Sequence, residues 1–339
     1  MAKILMIQLQ PTPYAGTAYL NGAARSGGHG FVLHLGSDRE KILEAISREK
    51  PDLIGLSSMT CYCPEFLSIA RQIKQACSIP IIMGGSHPTL FPDVINDPSL
   101  DMICRGEGEF ALMDLLNAIE RHEPFARIPN LWVKTGGAIR KNPLRPLADP
   151  LDSVPPIDWT CYAGTPVRYS SPIAFLIRGC PYSCTYCFNE AMRGLYGGLG
   201  KYVRHFGVER SLQEIRAALD FFQPNPLLFT SDSFGIDLPW MDELLTGYEK
   251  MTPLPFILLL RPELATDECV EILGRHKCLS VAIGVESGSE RVRREIMNRR
   301  YSNESLLALA ERLHRKNITF RTYNMIGLPT ETDEEIWET

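Results

Sequence analysis

Nothing in the 339-residue sequence approaches the ~20 consecutive apolar residues that a membrane-crossing helix needs, and no low-complexity tract or internal repeat interrupts it. The opening run MAKILMIQLQPTP is short, strand-like and ended by prolines, unlike the apolar stretch of a secretory signal. Neither sign of charge dominates. With 35 basic and 40 acidic residues the net charge is -5, which gives no electrostatic reason to expect a nucleic-acid or anionic-membrane surface. These absences leave a small molecule or another protein as the expected partner and the cytoplasm as the expected compartment. In that reducing setting the ten cysteines are expected as thiols or metal ligands, not disulfides. What is present is ordinary globular composition, 45% hydrophobic and 22% charged, which excludes a disordered, collagen-like or coiled-coil chain. The length allows two domains, or one barrel with an appendage.

Short apolar runs alternate with amphipathic ones from the start. Lys3–Leu9, Phe31–Leu35, Leu53–Ser57, Ile79–Met83 and Met102–Cys104 read as strands, which predicts a parallel sheet covered on both faces. Phe66, Ala70, Ile73 and Cys77 recur at helical spacing and place Cys77 in the core. Phe110–Ile119 reads as a closing helix, and Leu131–Arg140, centred on Gly136-Gly137, as a hairpin. Residues 1–141 therefore form one domain of about 140 residues. Asn142–Pro156 holds five prolines and little periodicity, so residues 142–165 are expected to be an extended linker. In residues 166–339 the strand candidates are Ile173–Ile177, Leu227–Thr230, Phe256–Leu260, Leu279–Val285 and Arg321–Ile326. Their alternation with helices suits a (β/α) barrel, whose chemistry gathers on the loops after the strands. Thr332 and Glu335 make a capping-box start with only four residues after it, too short for a stable helix, so a fragment is expected.

After the strand Ile173–Ile177 comes Arg178-Gly179-Cys180-Pro181-Tyr182-Ser183-Cys184-Thr185-Tyr186-Cys187. Three cysteines at C-x3-C-x2-C on one loop suit a cubane iron–sulfur cluster that keeps one iron open for chemistry. The alternatives are a structural zinc site, for which His205 is the only near fourth ligand, and three unrelated core thiols.

At these residues the chain resembles the radical S-adenosylmethionine enzymes, whose signature is C-x3-C-x-aromatic-C, with Tyr186 in the aromatic place. The resemblance implies a 4Fe–4S cluster on Cys180, Cys184 and Cys187, with S-adenosylmethionine chelating the fourth iron. Reductive cleavage of the sulfonium would then yield a 5′-deoxyadenosyl radical in a dry pocket. It also implies that Thr230, Ser231 and Asp232 meet the amino group of S-adenosylmethionine and that Arg261 pairs with its carboxylate. Glu286, in the segment Gly284-Val285-Glu286-Ser287, would hold the ribose hydroxyls, and the turn containing Gly327 would flank the adenine. In isolation Arg261 or Glu286 reads as half of an ordinary salt bridge. The basic cluster Arg291, Arg293, Arg294, Arg299 and Arg300 reads as a solvated helix face.

A doubly wound domain followed by such a barrel, truncated before its last strand, is similar to the cobalamin-binding branch of this family. In such a sheet ligands lie beyond the carboxyl ends of the strands. Candidate cobalamin contacts are therefore the loops Gln10–Gly16, Ser57–Thr60 (Ser57, Ser58, Thr60), Gly84–Thr89 (Gly84, Gly85) and Arg105–Gly108 (Gly106, Glu107). Glycine there permits close backbone approach to a flat macrocycle, although tight turns alone also select it. The Asp-x-His-x-x-Gly motif that supplies a lower cobalt ligand in many cobalamin proteins is absent: His29, His34 and His87 do not stand in it. His87 reads as a hydrogen-bonded loop residue. The branch implies an enzyme that transfers methyl through cobalamin to an unactivated carbon of a small molecule or natural-product intermediate, with a flavodoxin or ferredoxin as reductant. Cyclase-like ring formation, and a non-catalytic iron–sulfur carrier or sensor, remain alternatives.

Overall fold

A computed structural model describes all residues from Met1 to Thr339. The chain divides into two compact units, one of residues Met1–Ser170 with Leu195–Gly200, the other of Ser171–Gly194 with Lys201–Thr339.

The first unit is built from β1 (Lys3–Gln8), α1 (Ala15–Ser26), β2 (Gly30–Leu35), α2 (Arg39–Glu49), β3 (Leu53–Ser57), α3 (Cys63–Ala76), β4 (Ile81–Gly84), α4 (Ser86–Leu90), β5 (Met102–Cys104), α5 (Glu109–Glu120) and the hairpin β6 (Leu131–Thr135) and β7 (Ala138–Lys141). The strands form one sheet in the order β2-β1-β3-β4-β5-β6-β7. The first five are parallel, and the hairpin adds antiparallel to β5. Alternation along β1 sorts the core. Leu5 and Ile7 pack with Ile42 of α2 and Phe66, Ile69 and Ile73 of α3, whereas Ile4 and Met6 pack with Ala24 of α1 and Leu112, Leu115 and Leu116 of α5. The order reverses between β1 and β3, the switch point where such sheets bind ligands.

Two expectations need correcting. Residues 142–165 are not a free linker, because their apolar side chains have a core to enter. Leu151, Val154, Trp159 and Tyr162 are buried, Asp158 N–H donates to Ala18 O, and Asn21 Nδ2 donates to Asp158 O. Gly22 of α1 is needed for this contact, since a Cβ there would lie 1.8 Å from Pro156 O. Cys77 is the half-buried C-cap of α3 and packs on the edge of the core.

The second unit runs β8 (Ile173–Ala174), β9 (Ile177–Arg178), α6 (Phe188–Leu195), β10 (Arg204–His205), α7 (Val208–Phe221), β11 (Leu227–Phe229), α8 (Leu238–Met251), β12 (Phe256–Leu260), α9 (Asp267–Arg275), β13 (Cys278–Glu286), a π-helical turn Val292–Ile296, α10 (Asn303–Arg315), β14 (Thr319–Asn324) and α11 (Asp333–Trp337). Five parallel strands lie in the order β14-β13-β12-β11-β8, the sequential order of a (β/α) barrel arc. The run Ile173–Ile177 does not stay one strand. Its start pairs with β11, and its end leaves the sheet to pair antiparallel with β10. Thr332 and Glu335 close the expected capping box on α11. No helix is long and apolar enough to cross a membrane.

Candidate cofactor site

The cysteine loop of the second unit is held from several sides. Gly179 has φ +85°, and a Cβ there would meet Tyr202 O at 2.4 Å, so only glycine turns the chain here. Asp232 Oδ2 accepts from Gly179 N at 3.0 Å, and Ser233 Oγ donates to Gly179 O at 3.0 Å. Ser231 Oγ accepts from Leu176 N at 2.9 Å and Ile177 N at 3.2 Å. The β11 hydroxyls and carboxylate therefore brace the loop's entry in this structure. Burial raises the Asp232 carboxyl above its usual value, and the bond from Gly179 N–H offsets part of that. Thr230 Oγ1 reaches Ala174 O only at 3.5 Å. Arg193, which sequence reasoning passed over, gathers the carbonyls of Cys180, Pro181 and Tyr182 and donates to Ser183 Oγ at 2.7 Å. Cys180 and Cys184 are buried and Cys187 half-buried.

A chain of alternating charges runs from this loop along the strand ends. Arg261 Nη1 donates to Cys184 Sγ at 3.1 Å, its guanidinium lies 3.8 Å over the Tyr182 ring, and Nη2 meets Glu263 Oε1 at 2.7 Å. Arg299 Nη2 meets Glu263 Oε2 at 3.3 Å, while Nη1 donates to Glu286 Oε1 at 2.7 Å and to the Tyr186 hydroxyl at 3.1 Å. Burial alone would raise the Glu263 carboxyl, but Arg261 and Arg299 on either side hold it below the usual carboxylate range. Glu286 sits at φ +68° after a bulge in β13, a strained backbone of the kind found at functional sites. A Cβ at Gly284 would lie 2.5 Å from Glu286 Oε1 and 3.1 Å from Arg299 Nη1, so a side chain there would displace the carboxylate.

The basic cluster is a solvated face only in part: Arg294 and Arg300 are exposed as expected, but Arg293 is 0% exposed and Arg299 2%, and Arg291 pairs with Glu335. Arg293 is held by nearby acceptors, donating to Ser287 O at 2.5 Å and Asn303 Oδ1 at 2.7 Å, whereas Arg299 is drawn inward by Glu286 and Glu263. Ser287 is itself fully buried, and its Oγ accepts from Ser289 N, so its side chain shapes the turn and offers no surface to a ligand. Gly327 has φ +77° and open space around it. The missed residues are Arg193, Glu263, Arg299 and Tyr301, whose hydroxyl donates to Val285 O at 2.7 Å. The only signal for Glu263 was its place two residues after Arg261.

The residues fit a cluster with an amino-acid ligand. Three thiols lie on one braced loop, beside a cation at Cys184. The Nε–H groups of Arg261 and Arg299 are buried without a partner, as are those of Arg145, Arg293 and Arg312.

In the first unit the carboxyl edge of the sheet is laced mostly by neutral hydrogen bonds, with one guanidinium among them, Arg105, whose Nε and Nη2 donate to Thr89 O at 3.3 and 3.2 Å. Ser58 N donates to Gly84 O, His87 N to Ser58 O, Thr89 Oγ1 to Gly85 O and Gly106 N to Thr89 Oγ1, all between 2.7 and 3.0 Å. Gly85 (φ +99°) and Gly106 (φ +76°) are set by close neighbours within the unit. A Cβ on Gly85 would lie 2.6 Å from Ser58 O, and one on Gly106 1.8 Å from the Tyr196 hydroxyl, which accepts from Glu107 N at 2.8 Å. Ser58 is buried, whereas Ser57 and Thr60 are exposed beside Met59 (48%). His87 approaches Thr60 Oγ1 at 3.2 Å through Nδ1 and stacks on Phe91, itself 56% exposed. This rim of hydroxyls and exposed apolar groups at the switch point suits a flat macrocycle with polar arms.

Residues 175–339 match the radical SAM superfamily, and residues 9–116 match the B12 binding domain. The second unit carries a radical SAM domain. The chain's B12-binding domain precedes it, a pairing that implies a 4Fe–4S cluster, S-adenosylmethionine and cobalamin as cofactors. The chain is similar to an uncharacterized methyltransferase of Pyrococcus horikoshii, 24% identical over 306 residues, 87% of this chain and 64% of that protein. It is also similar to the anaerobic magnesium-protoporphyrin IX monomethyl ester cyclase of Rubrivivax gelatinosus, 28% identical over 193 residues, 52% of this chain and 34% of that one. The chain thus spans less than two thirds of either relative. In fold it matches the cobalamin-dependent S-adenosylmethionine radical enzyme OxsB, solved with aqua-cobalamin and S-adenosylmethionine, at a TM-score of 0.82 and 19% identity, over 100% of this chain and 51% of that one.

Proposed function

We propose that the protein is a cobalamin-dependent radical SAM methyltransferase acting on an unactivated carbon of a small molecule or natural-product intermediate. The observation that carries this reading is the charge chain from Cys184 through Arg261, Glu263 and Arg299 to Glu286 at the strand ends. An iron–sulfur carrier or sensor has no use for a carboxylate held under strain beside the cluster loop. Cys180, Cys184 and Cys187 would hold the cluster, Arg261 Nε–H the carboxylate of S-adenosylmethionine, and Glu286 its ribose hydroxyls. The exposed groups Ser57 and Thr60, with Gly84, would meet cobalamin in the first unit. Bound there, these groups supply one-electron reductive cleavage of the sulfonium and a carrier for methyl. The chain's own residues orient them: Arg193 and Asp232 fix the loop, Arg299 fixes Glu286, and Tyr182 covers the Arg261 guanidinium. A low-potential flavodoxin or ferredoxin would be the reductant and the cytoplasm the compartment, which suits ten unpaired cysteines.

Anaerobically reconstituted protein, reduced with dithionite and given S-adenosylmethionine, is expected to release 5′-deoxyadenosine. Protein made with hydroxocobalamin available is expected to show bound corrin absorbance. Absence of both products overturns the reading. A second reading, ring formation, is favoured by the similarity to the cyclase of Rubrivivax gelatinosus, and corrin without methyl transfer would support it.

A further inference from the structure

We propose that Arg299 is a positioning residue that fixes where the Glu286 carboxylate stands relative to the cysteine loop. The inference rests on the reading of Glu286 as the group that takes ribose hydroxyls. Arg299 follows the π-helical turn Val292–Ile296, and such turns often mark functional sites because the extra residue re-aims the chain after them. The residues between that turn and Arg299 are fastened to the cysteine loop. Thr185 Oγ1 donates to Ile296 O at 2.6 Å, Thr185 N to Met297 O at 3.3 Å, and Asn298 Nδ2 to Ser183 O at 2.9 Å. Asn298 has φ +53°, which turns the chain so that the next side chain points inward. Arg299 there touches the loop again through the Tyr186 hydroxyl and touches β13 through Glu286.

One guanidinium fork therefore spans both halves of the site. Nη1 serves Glu286 and Tyr186, and Nη2 serves Glu263. The arrangement is also balanced in charge, with Arg261 and Arg299 against Glu263 and Glu286. Without Arg299 two half-buried carboxylates would share one remaining cation, and like charges would drive Glu286 out of its position. The planar fork matters as well as the charge, because an ammonium cannot meet three acceptors in one plane. Only Oε1 of Glu286 is taken by Arg299, so Oε2 stays available to a diol.

The test is isothermal titration of oxidised, cluster-loaded protein with S-adenosylhomocysteine and with its 2′-deoxyribose analogue, alongside iron content and thermal unfolding. Arg299→Gln is expected to weaken S-adenosylhomocysteine about tenfold, as for a lost charged hydrogen bond, and to leave the deoxy analogue nearly unchanged. The double variant Glu286→Gln/Arg299→Gln is expected to bind no more weakly than Glu286→Gln alone. Should the glutamine variant not fold, Arg299→Lys carries the same comparison, with a smaller loss confined to the ribose ligand. Equal losses for both ligands, or additive losses in the double variant, overturn the positioning role and leave the proposed function standing. Wild-type protein that binds neither ligand, or that does not distinguish them, overturns the reading of Glu286 and this inference with it.

Discussion

The carboxyl edges of the two sheets are organised by different forces. In the first unit the loops after β3, β4 and β5 hold one another mainly through neutral bonds among Ser58, Gly84, Gly85, Thr89 and Gly106, and their one cation, Arg105, meets a backbone carbonyl and no carboxylate there. In the second the corresponding loops are joined by ions, the buried Arg299 and the half-buried Arg261, Glu263 and Glu286, with a thiol at one end. The difference matches the ligands that the two domains imply. A macrocycle is held by shape and amide bonds and needs a close backbone, whereas a zwitterionic sulfonium beside thiolates needs fixed charge. Neutral lacing fails by steric clash. A charge chain fails when one ion loses its counterpart.

The largest effect should come from the thiols themselves. Cys184→Ala is expected to abolish cluster retention, read by iron and sulfide analysis after anaerobic reconstitution, while Cys269→Ala, buried in α9 of the same unit, keeps the full complement. Retention by Cys184→Ala would break the comparison, because the charge chain would then end on a side chain with no ligand role.

The next effect tests steric lacing. Gly85→Ala places a Cβ 2.6 Å from Ser58 O at φ +99°, so the backbone must move; a positive φ alone costs about 1–3 kcal/mol in a non-glycine residue. Corrin binding and thermal stability should both fall. At Gly84 the nearest atom to an added Cβ is Cys104 Cβ at 3.8 Å, so alanine there should leave thermal stability unchanged and lower corrin binding only. Equal loss of thermal stability at the two positions would mean that the close approach to Ser58 O is not what fixes Gly85.

The parallel strands and the three-cysteine loop after the first strand of the second unit were legible in the sequence because each is a local pattern: apolar runs alternating with amphipathic ones, and a fixed cysteine spacing. The charge chain was not. Arg299 stands in a run of arginines that reads as solvent-facing, and its burial depends on Glu263 and Glu286, both far from it in sequence. Residues 142–165 misled for a related reason. Five prolines signal extension, but Trp159 and Tyr162 find their pocket on α1 and β1, where Tyr162 OH donates to Gln8 Oε1 at 2.7 Å. The β11 segment shows a third case, since its hydroxyls suit a ligand by type yet are spent on the loop's own backbone.

A smaller effect separates the two edges by pH. The folded protein holds the Glu263 carboxyl below its unfolded value, so its contribution is complete above the ordinary glutamate range and is lost as pH falls through the folded value. Glu263→Gln should lower stability at pH 7 by a few degrees in Tm and flatten the acid side of the pH profile. A profile unchanged by the substitution would show that Glu263 adds nothing to the chain between its two arginines.

The smallest effect concerns reactivity, with no change in function expected. Burial pushes the thiols of Cys104, Cys269 and Cys278 up to about 12, and at pH 8 they should remain almost wholly protonated and closed to iodoacetamide. Cys61, exposed in the loop after β3, is expected to be alkylated first, as read by mass spectrometry of tryptic peptides over time. The order sharpens the comparison, because Cys104 ends β5 directly under the laced glycine loops of the first unit while Cys269 and Cys278 lie in α9 and β13 of the second. If Cys104 reacts well before the other two, the neutral lacing opens more readily than the charge chain. Equal protection would show that both edges are closed by the packing beneath them, and that the bonds above set the geometry without guarding the core.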